Sequence, residues 1–143
     1  MLLTDKAIPL HSILPQKSKE IILDDFSNTF LTANTSVLNG ILTITGTGQM
    51  IEDISAVKGD VVEITCFART LGGSVNNSRI EVSAVPSGFL GGEYVNNGGW
   101  DFYKMRQLVT ITGTTGIQVK VRNISGTDAM EVKNVIIRIL TAK

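Results

Sequence analysis

The segment DVVEITCFAR, residues 60–69, decides the fold class of this chain. Every second side chain in it is small or apolar, and most of the side chains between them are polar. The first set is Val62, Ile64, Cys66 and Ala68, and the second is Glu63, Thr65, Phe67 and Arg69. A period of two residues places these sets on opposite faces of a β-strand. The segment therefore predicts a strand in a sheet that buries one face.

The same period recurs from Glu20 onward. It predicts strands over residues 21–24, 37–45, 49–54, 60–69, 79–85, 100–104, 107–112, 117–123 and 130–140. A phase change near Lys133 and Asn134 predicts a β-bulge in the last strand, because a bulge adds the one residue that is needed. Residues 86–99 are predicted to form the longest irregular stretch.

Two further strands show the alternation clearly, with apolar side chains turned inward and polar ones outward. The inward set is Ile80, Val82, Ala84, Ile117, Val119 and Val121, and the outward set is Arg79, Glu81, Ser83, Gln118, Lys120 and Arg122.

The composition agrees with an all-β domain. Ile, Val and Thr number 16, 13 and 15, which is nearly a third of the 143 residues. These β-branched side chains are stiff at χ1 and suit a pleated surface better than a helix. Short strands separated by turns predict a two-sheet antiparallel β-sandwich over residues 19–143.

Residues 1–18 are predicted to form an extended N-terminal arm. Pro9 and Pro15 punctuate this segment, and it has no sustained period. It nevertheless carries six apolar side chains that could take part in assembly, namely Leu2, Leu3, Ile8, Leu10, Ile13 and Leu14. The arm packs either on its own domain or on a neighbouring subunit. Because Asp5 and Lys6 also interrupt the apolar residues, we do not expect a secretory signal.

The sequence argues against several classes of function. Thirteen basic and thirteen acidic residues give zero net charge, whereas a protein that binds nucleic acid usually has a basic excess. No apolar run reaches the roughly 18 residues of a membrane span. One Cys and one His exclude a disulfide framework and a Cys/His zinc cluster. His11 has no nucleophile beside it in the sequence, and we expect no catalytic activity.

Five of the eight aromatic residues lie within residues 89–103. Sugar rings stack on aromatic side chains, and sugar hydroxyls need amide or charged partners. The candidate ligand-binding residues are Trp100, Tyr103, Tyr94, Asn96 and Asn97. The alternative is that these aromatic side chains pack in the core or at an edge of the sandwich. Alternation places Trp100 with Phe102 on one face and Tyr103 on the other, so only part of the group can face solvent together.

Calcium is the one ion that we consider, and no other cofactor is expected. Asp25, Asp128 and Asn134 offer oxygen ligands near the predicted first and last strands, which are often close together in a sandwich. Carboxylates at solvated turns are the alternative interpretation.

Four segments resemble the jelly-roll carbohydrate-binding modules. They are ILDDFSN (22–28), VKGDVVEITCFARTLGG (57–73), GGWDFYKMRQLVTIT (98–112) and GIQVKVRNISGTDAMEVKNVIIRI (116–139). The resemblance covers about residues 20–140. It implies a non-catalytic β-sandwich, frequently with a structural calcium, and it keeps Trp100 and Tyr103 as candidates for sugar stacking. Such modules commonly have Asp where this chain has Asn134, which weakens the calcium prediction.

Similar small sandwiches occur on bacteriophage virions as capsid decorations, head fibres or tail appendages. By this analogy of fold and context, we predict a structural or adhesion module of a virion, made in the host cytoplasm. Its partners would be other virion proteins, copies of itself and a cell-surface glycan, without nucleic acid or membrane insertion. The alternative is a carbohydrate-binding module from a larger secreted glycosidase, which would be extracellular.

Overall fold

A computed structural model describes residues 16–86, 88–111, 116–126 and 128–142 of the chain. These residues form eleven strands: β1 (Gln16–Leu23), β2 (Phe30–Leu31), β3 (Thr35–Leu38), β4 (Ile41–Ile44), β5 (Gln49–Ile54), β6 (Val61–Thr70), β7 (Ser78–Val85), β8 (Gly88–Val95), β9 (Asp101–Leu108), β10 (Gly116–Asn123) and β11 (Met130–Ala142). The described part contains no helix of the length and hydrophobicity needed to cross a membrane.

The strands form two antiparallel sheets that pack face to face as a sandwich. One sheet has five strands in the order β2-β5-β10-β7-β8. The other has six, with β3-β4-β11-β6-β9 in order and β1 added against β11. The long strand β11 pairs through its first residues with β4 and through its later residues with β1. The predicted two-sheet antiparallel β-sandwich is therefore confirmed.

The core lies between the two sheets and consists of the side chains that the alternation turned inward. All ten of the inward side chains named for the three strands are buried. Cys66 is among them, and burial raises the pKa of its thiol to about 12. A thiol in that state is a small apolar core group, since only the thiolate is a strong nucleophile.

The predicted β-bulge is present in β11. The register of β11 against β6 shifts between Lys133 and Ile136. Asn134 has a φ of 56° in this segment, which is the left-handed conformation that Asn tolerates better than most residues. The bulge restores the inward phase, so that Val132 and Val135 are both buried.

Several strand bounds differ from the prediction. The predicted strand 37–45 is split into β3 and β4 by a turn at Asn39 and Gly40, whose φ values are 52° and 77°. Two positive φ values in succession match a tight hairpin turn, for which Asn-Gly is the favoured sequence. The predicted strand 100–104 and the first two residues of the predicted strand 107–112 belong to one strand, β9, which ends at Leu108.

Residues 86–99 contain a strand that the prediction missed, and β1 is longer than expected. In β8, glycines at positions 88, 91 and 92 interrupt any alternation of apolar side chains, although the strand pairs with β7 along its length. The first strand begins at Gln16, where it pairs with Ala142, inside the segment that was assigned to the arm. The assembly candidates Leu2, Leu3, Ile8, Leu10, Ile13 and Leu14, together with His11, lie outside the described residues.

Candidate functional site

A groove lies on the outer face of the five-stranded sheet, away from the core. Its cavity volume is about 380 Å³, and strands β7, β8 and β10 form it. The side chains that give it its character occupy outward positions of these strands, namely Arg79, Glu81, Ser83, Phe89, Gln118, Lys120 and Arg122. Six of these seven are polar, but residues 84–86 and Gly88 also line the groove, so its surface combines polar and apolar groups with an aromatic side chain on the β8 side.

Strand register explains why these side chains meet. In β10 and β7, Arg122 pairs with Arg79, Lys120 with Glu81, and Gln118 with Ser83. Outward side chains at paired positions lie about 5 Å apart, which brings all six to a common surface. Strand β8 pairs with the other side of β7. It places Tyr94 opposite Arg79 and Phe89 opposite Ser83.

The aromatic wall of the groove is Phe89, and Tyr94 lies next to the groove on the same strand, against Arg79. Phe89 is 54% exposed and Tyr94 is 39% exposed. The guanidinium of Arg79 lies 4.6 Å from the centre of the Phe89 ring and 5.8 Å from that of Tyr94. These distances fit cation–π contacts, which hold the cation between the two rings.

Gly92 gives the Phe89 ring its position. A Cβ atom at residue 92 would lie 3.2 Å from the Phe89 ring and 2.8 Å from the carbonyl oxygen of Ile80. Both contacts are too close for any larger residue to be accommodated without movement of the ring or the strand. The absence of a side chain at Gly92 therefore allows the Phe89 ring to pack directly against the backbone of β8.

Glu81 organises the floor of the groove. Its Oε1 accepts hydrogen bonds from Arg79 Nε at 2.9 Å and Arg122 Nε at 2.8 Å, and Arg79 Nη2 lies 2.8 Å from the same oxygen. Its Oε2 accepts a hydrogen bond from the Ser83 hydroxyl at 3.0 Å. Burial raises the pKa of Glu81, but the hydrogen bonds from Arg122, Arg79 and Ser83 outweigh it, and the pKa is lowered. The carboxylate is thus ionised and fixes both guanidinium groups.

The opposite outer face, on the six-stranded sheet, carries a different cluster. Phe67 and Phe102 are in ring contact, with their centres 5.3 Å apart. The ring of Trp100 is covered by two cations, since the Arg69 guanidinium lies 4.8 Å and the Lys133 ammonium 4.3 Å from its centre. Cations therefore lie against aromatic rings on both outer faces of the sandwich, since Arg79 lies over Phe89 in the same way.

The structure separates the ligand-binding residues predicted from the sequence. Trp100 lies on the six-stranded sheet's outer face, whereas Tyr94 lies on the outer face of the five-stranded sheet. Tyr103 is 8% exposed and belongs to the core cluster, so it contributes to neither surface. Its inward position in β9, opposite Cys66, is the reason.

Asn96 and Asn97 stabilise the loop between β8 and β9. The Asn96 side chain exchanges hydrogen bonds with Asn76, accepting one from its backbone N–H at 2.8 Å and donating one to its side-chain oxygen at 2.9 Å. The Asn97 side chain accepts the Gly99 N–H at 2.9 Å. Both asparagines therefore contribute to holding this loop in place, and both remain exposed to solvent.

The residues that the prediction did not single out are the polar floor residues Arg79, Glu81, Lys120 and Arg122. The alternation did place them on the outward face of their strands. The missing information was that β7 and β10 are neighbours, because the strands are separated by β8 and β9 in the chain.

The three calcium candidates predicted from the sequence make separate contacts in the structure. Asp128 accepts a hydrogen bond from the Ser74 backbone at 2.8 Å, and Asp25 accepts one from the Ser27 backbone at 3.0 Å. Asn134 is an exposed bulge residue within β11. Among residues 16–86, 88–111, 116–126 and 128–142, no group of three or more His, Cys, Asp or Glu side chains could hold a metal ion. The described contacts therefore do not bring the three candidates into one site.

Comparison with solved structures identifies the architecture. A family 4 carbohydrate-binding module superposes with a TM-score of 0.57 at 13% identity, covering 88% of this chain and 86% of the module. The fold is that of the jelly-roll carbohydrate-binding modules. A family 36 module in complex with calcium and xylotriose gives a TM-score of 0.57 at 8% identity, with 85% and 98% of the two chains covered.

A family 35 module from Clostridium thermocellum gives a TM-score of 0.54 at 9% identity, covering 83% of this chain and 97% of the module. At these identities the likeness to carbohydrate-binding modules establishes the fold alone. No protein-family model and no curated protein sequence matches this chain.

Proposed function

We propose that this protein is a non-catalytic carbohydrate-binding domain that holds a glycan in the groove on the five-stranded sheet. The observation that carries the proposal is the combination of the exposed Phe89 ring with a hydrogen-bonding floor in one recess, next to which the exposed Tyr94 ring lies against Arg79. Small-molecule sites usually pair apolar or aromatic walls with a few placed polar groups.

The chemistry of the groove matches the two kinds of surface on a sugar. The C–H face of a pyranose ring is apolar and stacks on an aromatic ring such as Phe89. The hydroxyl groups need donors and acceptors, which Gln118, Lys120 and Arg122 supply. The carbohydrate-binding-module fold supports the proposal, since a solved neighbour holds xylotriose.

The face is also wide enough for a chain of sugars. Five neighbouring strands extend about 19 Å from the first to the last, at about 4.8 Å per step. Phe30 on β2 is 63% exposed at the far edge of the same sheet, and it pairs with Ile51, which in turn pairs with Lys120. A glycan chain that extends beyond the groove would therefore contact further outward-facing side chains of the same sheet.

We expect Phe89→Ala to weaken glycan binding by about 1–3 kcal/mol, the range known for bases stacked on aromatic side chains. That change corresponds to roughly fivefold to 150-fold in Kd. The melting temperature should hardly change, because the ring is about half exposed. Affinity gel electrophoresis against a panel of soluble polysaccharides identifies a ligand, and calorimetry then measures the variant.

Phe102→Ala is the matched control for this experiment. Phe102 is 53% exposed, almost the same as Phe89, but lies on the opposite outer face. Its loss should leave Kd unchanged. If Phe102→Ala or Trp100→Ala abolishes binding while Phe89→Ala binds normally, the ligand site is on the six-stranded sheet and the groove is not the binding site.

The placement of this domain on a bacteriophage virion, rather than in a secreted glycosidase, is kept as a proposal about its context. Its support is the apolar content of residues 1–15 and the zero net charge. It predicts a concentration-dependent oligomer of the full chain by light scattering. A deletion should end at residue 15, because a cut after residue 18 would remove paired residues of β1. Full and shortened chains that are both monomers at every concentration would contradict the proposal.

A further inference from the structure

We infer that the ligand of the groove is an acidic glycan, whose sugars carry carboxylate or sulfate groups. The inference rests on the proposed function and narrows its ligand class. It follows from the distribution of charge in the groove, which differs from that of the whole chain.

Cations outnumber anions among the groove side chains. Arg79, Lys120 and Arg122 face Glu81 alone within the groove. A further anion, Asp53, lies at the rim, where its Oδ1 accepts a hydrogen bond from Gln118 at 2.8 Å. The chain as a whole has zero net charge, so the excess of cations is a local property of this face.

The carboxylate of Glu81 has no capacity left to neutralise a further cation. Its Oε1 faces three nitrogen donors and its Oε2 accepts the Ser83 hydroxyl. The ion pair to Arg122 is made through Nε, which leaves the two terminal nitrogens of that guanidinium. Within the described part of the chain, Lys120 forms no ion pair.

The terminal nitrogens of Arg122 and the ammonium of Lys120 are therefore able to bind an anionic group of a ligand. A planar guanidinium binds a carboxylate or sulfate through two parallel hydrogen bonds, and an ammonium adds a point charge beside it. The two residues are two apart on β10 and share the outward face, so a single anionic sugar can meet both.

A glycan is favoured over a nucleic acid by the extent of the positive surface. Nucleic-acid binding depends on neutralising many phosphates along a strand, and it usually comes with a basic excess over the domain. Here three cations lie in one recess with an aromatic wall, and Asp53 limits the positive surface at one rim.

The test compares polymers that differ only in charge. Polygalacturonate is paired with its methyl ester, and dextran sulfate with dextran, which separates carboxylate from sulfate recognition. We expect one acidic polymer to bind at least tenfold more tightly than its neutral counterpart. Lys120→Gln should weaken that binding by about tenfold, since a hydrogen bond to a charged group contributes on that scale. Lys58→Gln, which removes an exposed lysine outside the groove, should not.

The outcomes separate this inference from the proposed function. Binding of neutral polymers, xylan included, as tightly as acidic ones would overturn the inference and leave the proposed function intact. Failure of every neutral and acidic polymer to bind would overturn both. Single-stranded DNA that binds as tightly as the acidic polymer, and loses affinity in Lys120→Gln, would show a general polyanion surface and also overturn the inference. Melting temperatures of both lysine variants confirm that they are folded.

Discussion

Replacing Glu81 with Gln is expected to lower the free energy of unfolding by about 3–5 kcal/mol. The Glu81 side chain is 3% exposed, and its partners Arg79 and Arg122 are 16% and 31% exposed. Removing the negative charge leaves two cations that repel each other in a poorly hydrated place. Moreover, one of the two carboxylate oxygens becomes an NH₂ group, which cannot accept a hydrogen bond. Urea denaturation with an unchanged m-value measures the loss.

Glu131→Gln is the control for the Glu81 result. Glu131 also forms an ion pair with an arginine, but its side chain is 19% exposed and that of Arg69 is 33% exposed. Water can replace part of the lost interaction, so we expect a loss of about 1 kcal/mol. If the two variants lose equal amounts of unfolding free energy, burial of the Glu81 ion pairs does not increase their contribution to stability.

Acid provides a second readout of the same network. The pKa of Glu81 is lower in the folded chain than the ordinary glutamate value, so its stabilising contribution is complete above the unfolded-state pKa of about 4.3. The contribution is lost as the pH falls through the lower folded-state pKa. The melting temperature of the Gln variant should therefore fall less steeply in acid than that of the parent chain.

The period of two residues was sufficient to predict the sandwich and much of its core. All ten side chains that it assigned inward in β6, β7 and β10 are buried, and the phase change near Asn134 located the bulge. Alternation is a local property of a strand, and it is imposed by the pleat wherever one face is buried. The turn at Asn39 and Gly40 was missed, since one strand was predicted over residues 37–45, although Asn-Gly between apolar residues is a strong hairpin signal.

The groove could not be predicted in this way, because it depends on which strands are neighbours. Arg79 and Arg122 are 43 positions apart in the chain and become partners only through the pairing of β7 with β10. Conversely, the aromatic residues near position 100 are close in sequence but separated in space. The chain passes from the five-stranded sheet to the six-stranded sheet between Val95 and Asp101, so Tyr94 and Trp100 lie on opposite faces of the protein.

The second large effect on stability is expected at Tyr103, which lies on β9 just after the chain has crossed to the six-stranded sheet. Tyr103→Ala is expected to lower the free energy of unfolding by about 3–5 kcal/mol, the cost of truncating a large buried aromatic ring. The ring faces inward from β9 beside Cys66, and only 8% of the residue is exposed. Burial also raises the pKa of its hydroxyl, while a hydrogen bond from the Asn97 backbone acts in the opposite direction.

Tyr103→Phe distinguishes a core role from a role in ligand contact. Phe keeps the ring and removes only the hydroxyl, so denaturation should show a loss of about 1 kcal/mol and calorimetry an unchanged Kd. In Tyr103→Ala, glycan binding should decline only in proportion to the unfolded fraction, whereas Phe89→Ala should lose affinity while fully folded. A Tyr103→Ala chain that melts normally but no longer binds glycan would place this side chain on the ligand surface, against its inward position in β9.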